Sequence, residues 1–181
     1  MTKYIKWLVV VIAVATFCMV FGNQLAFYIG SKMTQSLTFQ EVYFEGAKIT
    51  VSGLTYTGAT NTSILPFIGY CLVLFGGLTT LFSSFSKGKT SKAIFNLLSV
   101  LAFLVGAIFI LLLPTSFYSA NESLKSVIDT YNKYASSYKV SLKMETCSII
   151  GLILSLCAFV FITISFILDL AIKPKKKRKR K

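Results

Sequence analysis

The chain has no histidine and only six acidic residues among its 181. The first absence removes the side chain that titrates near neutral pH and the commonest metal ligand. The second leaves little carboxylate for acid–base catalysis or for a divalent-cation cage. Four cysteines occur, but none in a Cys-x-x-Cys pair. Cys18, Cys71, Cys147 and Cys157 all fall within or at the edge of long apolar runs, where thiols read as small buried apolar groups and not as a surface redox pair. No phosphate-cradling glycine loop or serine-hydrolase elbow is present. Charged residues make up 14% of the chain, against about 25% in a typical soluble domain. The sequence therefore predicts a non-enzymatic protein without a cofactor or metal, outside the ordinary soluble class.

What the chain has in quantity is apolar length. It is 55% hydrophobic with a mean hydropathy of +0.72. A bilayer core about 30 Å thick takes roughly 20 apolar helical residues. Four stretches qualify, at about 7–29, 64–82, 93–113 and 147–172, and none carries a central charge. The expected fold class is an all-α integral membrane protein: one domain over 1–181, built as a four-transmembrane-helix bundle. Outer loops run from 31 to 63 and from 114 to 146, an inner loop from 83 to 92, and a basic tail from 173 to 181.

Charge sets the expected orientation, because cytoplasmic segments retain an excess of Lys and Arg. Thirteen of the nineteen basic residues fall on one side: Lys3, Lys6, Lys87, Lys89, Lys92 and eight in the tail. The other six lie in the two outer loops with five of the six acids. Both termini are thus expected in the cytoplasm of a multi-pass protein of the plasma (cell) membrane. A rival reading makes the first span a secretory signal peptide. That apolar stretch is longer than a usual signal core, and no convincing A-x-A cleavage site precedes Asn23.

The first outer loop reads as short strands. Ala47, Ile49 and Val51 alternate with Lys48, Thr50 and Ser52, the period of a half-buried strand. Leu37 to Phe44 supplies a partner strand across a Glu45-Gly46 turn, and Leu54 to Thr57 a further one. An isolated hairpin is marginal in water, so the small extracytoplasmic cap needs a second component. Leu124, Ile128, Tyr131, Ala135 and Tyr138 recur at helical spacing, which predicts an amphipathic helix over 121–138. Ser119 with Glu122 fits a capping box at its start, and Pro114 would close the third span. Tyr131, Tyr134 and Tyr138 form a candidate partner surface, since tyrosine is enriched at interfaces; their alternative role is packing and interfacial anchoring. Asn61-Thr62-Ser63 and Asn121-Glu122-Ser123 match the short N-glycosylation pattern.

Polar residues inside the spans have two readings. Asn23, Gln24, Thr79, Thr80, Asn96 and Thr163 would line a pore in an oligomer, or would bond neighbouring helices. Gly76-Gly77, Gly106 and the Gly151-to-Ser155 spacing favour close helix approach. Asp169, in the last turns of span four, is expected to pair with Lys173 at the membrane boundary.

The tail is the most specific local feature. Lys173, Lys175, Lys176, Lys177, Arg178, Lys179, Arg180 and Lys181 leave only Pro174 uncharged. Starting directly after a span, these cations are expected to contact anionic lipid headgroups, each contributing about 1 kcal/mol. The alternative is contact with nucleic acid, a ribosome or an acidic partner. The predicted architecture is similar to that of claudin-type tetraspan proteins in its strand-bearing first outer loop. Gly53-Leu54, however, is not followed by the tryptophan and paired cysteines of that family. The expected function is non-catalytic: an accessory or adhesion-type component working through contacts with other membrane subunits or copies of itself. The alternative is a subunit of an oligomeric channel or transporter.

Overall fold

The computed structural model describes residues 2–45, 48–51, 54–57, 64–134 and 138–171. In chain order, helix α1 (Thr2–Cys18) continues into a 3-10 turn, Met19–Phe21, and is followed by strands β1 (Leu25–Ile29) and β2 (Lys32–Leu37). A π-helical turn, Glu41–Glu45, leads to β3 (Lys48–Val51) and β4 (Leu54–Thr57). Helices α2 (Leu65–Phe85) and α3 (Lys89–Leu111) come next, then the short α4 (Leu113–Ala120) and α5 (Glu122–Tyr134). Strand β5 (Val140–Met144) and helix α6 (Thr146–Ala171) complete the fold. Four helices, spanning Thr2–Phe21, α2, α3 and α6, are long and apolar enough to cross a membrane.

The four long helices close a ring in which α1 packs on α2, α2 on α3, α3 on α6 and α6 on α1. Their buried residues share one period. On α1 and its 3-10 extension they are 6, 9, 13, 16 and 20; on α3, 96, 99, 103, 106 and 110, with 102 and 107 beside them; on α6, 148, 151, 155, 158, 162 and 165. This alternation of three and four is the spacing of left-handed helix packing, which keeps one seam facing its neighbours. Small and hydroxyl residues fill much of the seam, while large apolar side chains point outward, as with Val11 and Val14, Phe75 and Phe82, Leu101 and Leu104, and Ile153 and Val160. That is the reverse of a soluble bundle. Among apolar surroundings helices gain little from hiding apolar surface and associate through close packing and interhelical hydrogen bonds.

Helices α2 and α3 approach most closely at a pair of glycines. A methyl group on Gly106 would lie 2.9 Å from the carbonyl oxygen of Gly69, and one on Gly69 would lie 2.9 Å from that of Gly106. Neither backbone can yield cheaply.

At the opposite end from the termini sits the cap. The predicted first span ended at residue 29; in the structure the helix stops at Phe21 and Leu25–Ile29 is a strand instead. Leu25, Ala26 and Phe27 are buried in succession. They occupy the central strand of a sheet ordered β2-β1-β5, where both faces are covered, so the strand reads as a continuous apolar run. Gly30, at φ 62°, makes the two-residue turn into β2, a conformation that glycine reaches without a Cβ penalty. The predicted partner strand over 37–44 is also corrected. Only Leu37 is in a strand, and 41–45 is a π-helical turn. The 48–51 strand pairs with β4; Glu45-Gly46 does not join it to a preceding strand. Residues 46–47 and 58–63, including the sequon at Asn61, lie outside the described residues.

The sheet ties the two loops together, since β5 from the second loop pairs with β1 from Leu25↔Met144 to Ile29↔Val140. The predicted helix over 121–138 is seen over Glu122–Tyr134; residues 135–137 lie outside the described residues, and Tyr138 is not helical. Ser119 does not cap it: this residue is inside α4, with its hydroxyl bonded to the carbonyls of Thr115 and Ser116. Helix α3 ends at Leu111, just before Pro114, as expected. The proline itself stands in the first turn of α4, where a missing N–H is harmless. The Asn121 side chain is buried and its Nδ2 donates to Phe117 O at 2.9 Å, so the second sequon is not presented to solvent.

Gly69→Ala and Gly106→Ala are each expected to destabilise the bundle by about 1–3 kcal/mol, read as thermal unfolding in mild detergent. Gly88→Ala, whose added methyl meets only Ser91 Cβ at 3.7 Å, should leave unfolding unchanged.

Candidate functional site

Three polar layers cross the interior of the bundle. The one nearest the termini centres on Lys6, which is buried on α1. Its Nζ donates to Asp169 Oδ2 at 2.6 Å and to Ser83 Oγ at 2.8 Å. Asn96 Nδ2 donates to the same carboxylate oxygen at 3.1 Å, and Ser83 Oγ donates to Asn96 Oδ1 at 2.5 Å. One residue from each of the four helices thus meets at one point. Lys6 holds this carboxylate; Lys173, its expected partner, lies outside the described residues. The helix begins at Thr2, so Lys6 is inside the apolar span and not beside it. A buried ammonium requires a partner, and Asp169 provides it.

The middle layer is uncharged. Thr79 Oγ1 lies 2.7 Å from Ser99 Oγ, and Thr80 Oγ1 is 3.1 Å from the same hydroxyl. Thr80 and Ser99 also bond back to the carbonyls of Gly76 and Phe95. Val73, Phe103, Ala158 and Ile162, all buried, form apolar packing within the bundle.

The layer nearest the cap centres on Gln24. Its Nε2 lies within 2.8–3.1 Å of the carbonyls of Met19, Val20 and Gly22 at the end of a helix, where carbonyls run short of backbone donors; Met19 O also accepts from Gly22 N. Its Oε1 accepts from Tyr70 at 3.1 Å and from Ser148 at 2.9 Å. Its backbone N–H donates to Leu37 O, and its carbonyl accepts from Glu145 N. Gln24 therefore links α1, α2, α6, β2 and the end of β5. Gly151 leaves room for the Tyr70 ring, since a Cβ there would sit 3.0 Å from Tyr70 Cε1.

Four of the six polar candidates for a pore lining, namely Gln24, Thr79, Thr80 and Asn96, are buried and hydrogen-bonded inside this single chain. Thr163 bonds back to Phe159 O, and Asn23 is exposed. The cysteine expectation also changes. Cys18, Cys71 and Cys157 are free and exposed on the outer helix faces, and Cys147 is half-buried. Among the described residues, no group of three His, Cys, Asp or Glu comes together.

The predicted tyrosine surface divides. Leu124 and Ile128 are buried and Tyr131 packs against the core, whereas Tyr134 is 80% exposed and Tyr138 66%. Ala135 lies outside the described residues. Asn132 holds the first residue of β5 from the side: Val140 N donates to Asn132 Oδ1 at 2.7 Å, and Asn132 Nδ2 donates to Val140 O at 2.9 Å. An amide so placed satisfies part of a sheet edge. Tyr118 Oη donates to Asp129 Oδ1, joining α4 to α5; burial, and then this bond, push the phenol up to about 12. Burial likewise raises Tyr43, packed among Phe39 and Phe67. The tail residues Lys173 to Lys181 lie outside the described residues.

Sequence reasoning missed Lys6 and the convergence of Ser83, Asn96 and Asp169. A signal for them exists on α6, where Ser148, Gly151, Ser155, Ala158, Ser165 and Asp169 mark a small or polar face at alternating three and four. No protein-family model matches this chain, nor does any curated protein or solved structure.

The site's chemistry is cohesion: it neutralises charge and pairs hydrogen-bonding groups where water is excluded. Asp169→Asn or Lys6→Met is expected to cost roughly 3 kcal/mol, because each strands a buried charge, while the double change Lys6→Met/Asp169→Leu costs less than the two singles combined. Unfolding midpoints of the three variants in mild detergent check this.

Proposed function

We propose that this chain is a four-pass protein of the plasma membrane, with both termini cytoplasmic, that acts without catalysis through contacts with other membrane proteins or further copies of itself. One observation carries the reading. Inside the bundle Lys6, Gln24, Tyr70, Thr79, Ser83, Asn96, Ser99 and Asp169 are spent on one another, with Ser165 Oγ left unpaired among the described residues, while Tyr134 and Tyr138 stand exposed on a cap that is fastened to the bundle. A rigid body with its interior sealed and aromatic rings presented outward suits recognition, because tyrosine offers large, amphipathic contact area at little entropic cost. The apolar outer helix faces and the one-sided Lys/Arg excess support membrane embedding in this orientation. The tail, from Lys173 through Lys175, Lys176, Lys177, Arg178, Lys179, Arg180 and Lys181, would then lie against the anionic cytoplasmic leaflet.

Cross-linking in native membranes, followed by purification in mild detergent, tests the reading. The expected result is an assembly larger than the 20.0 kDa chain, weakened about tenfold or more by Tyr134→Ser/Tyr138→Ser, in line with aromatic hot-spot losses. A solitary chain throughout, or solute flux through the purified and reconstituted chain, would overturn it.

A further inference from the structure

A cavity of about 330 Å³ opens at the terminal end of the bundle, where the starts of α1 and α3 meet the end of α6. Its polar wall is made by Lys89 and Lys92 on α3 and by Thr2 on α1; its apolar wall by Phe166 and Leu170 on α6 and Ala93 on α3. Asp169 also lines it.

The charges around it do not cancel. Asp169 is neutralised by Lys6 at 2.6 Å, and Asn96 also donates to it. Lys89 and Lys92 have no carboxylate within 4.0 Å among the described residues. Lys92 is half-buried and Lys89 exposed. Lys92 also acts on the Asp169 carboxylate, so Lys6, Lys89 and Lys92 share one carboxylate, and a net excess of two cations remains beside a wall that is hydrocarbon. Cations with several free N–H donors suit phosphate oxygens, and an adjoining apolar wall suits an acyl chain. The residue types and their division between two walls match one amphiphile better than a free anion, which has no use for Phe166 and Leu170.

We infer that this cavity is a binding site for the headgroup of a single anionic phospholipid, with Lys89 and Lys92 on the phosphate and the acyl chain along Phe166 and Leu170. Both lysines belong to α3 and not to the basic tail. It rests on the membrane-embedded reading, in which this end faces the cytoplasmic leaflet.

The test is native mass spectrometry of the full-length protein in mild detergent, titrated with phosphatidylglycerol or phosphatidylcholine. It is run on the parent chain and on one whose tail cations are replaced by Gln. One tightly retained phosphatidylglycerol is expected in both, with phosphatidylcholine retained far less. Lys89→Gln/Lys92→Gln should weaken retention roughly thirtyfold, the scale of two lost surface cations, and Lys89→Arg/Lys92→Arg should keep it. Should the Gln pair fail to fold, the exposed-site variant Lys89→Gln reads the same loss in smaller degree. Unchanged retention in Lys89→Gln/Lys92→Gln overturns the proposal, as does loss of retention when the tail cations alone are replaced. Inorganic phosphate that stabilises the protein as much as phosphatidylglycerol would mark a free-anion site and overturn the lipid assignment. Extraction of the chain from its membrane by alkaline carbonate would instead defeat the embedded reading itself.

Discussion

The fold depends on a side chain amide at the junction of two environments. Gln24 lies where α1 ends and β1 begins, buried among helices that are apolar on their outer faces. A helix end in such a place leaves carbonyls without water, and an unpaired buried carbonyl is costly. Gln24 Nε2 meets three of them, while its Oε1 receives the hydroxyls of Tyr70 and Ser148. Its backbone carries the sheet, through Leu37 and Glu145. The bundle and the cap are thereby held as one body, and the position of Tyr134 and Tyr138 relative to the helices follows from it.

The same constraint operates at the other end in a charged form. Lys6, Ser83, Asn96 and Asp169 come from four different helices and satisfy one another. A pair of this kind adds little net stability over a well-packed apolar substitute. What it adds is register, because sliding any one helix by a turn would strand a charge or an amide in an apolar interior. The glycine pair at 69 and 106 fixes the α2–α3 spacing by shape; the polar layers fix height and rotation by chemistry. Together they give a specific structure to helices whose outward faces are nearly uniform.

Much of this architecture was legible from hydropathy alone. The four apolar runs, the short strands at 48–51 and 54–57, and an amphipathic helix beginning near residue 121 all follow from period and composition. The errors have a common physical origin. Leu25, Ala26 and Phe27 form the central strand of a buried sheet, so they lack the alternation that would separate them from the preceding span. Lys6 looked like a flanking topology charge because the helix start was placed at residue 7. Its partner is 163 residues away, a separation that no local pattern reports. β5 escaped notice because its pairing with β1 is equally remote, while Lys143 and Met144 give it a mixed composition. The polar seam was visible residue by residue, but its convergence depended on how the helices are arranged around the ring.

A sealed polar interior and a water-filled one make opposite statements about Ser99 and Ser155, both fully buried at mid-bundle. The most direct measurement is reaction of Ser99→Cys and Ser155→Cys, in a chain whose four native cysteines are replaced by alanine, with a charged, membrane-impermeant thiol reagent in intact membranes. A bundle held together by its own polar side chains predicts no modification at either position until the protein is unfolded. Rapid modification of the folded protein from either aqueous side would show a hydrated path through the helices and contradict the account.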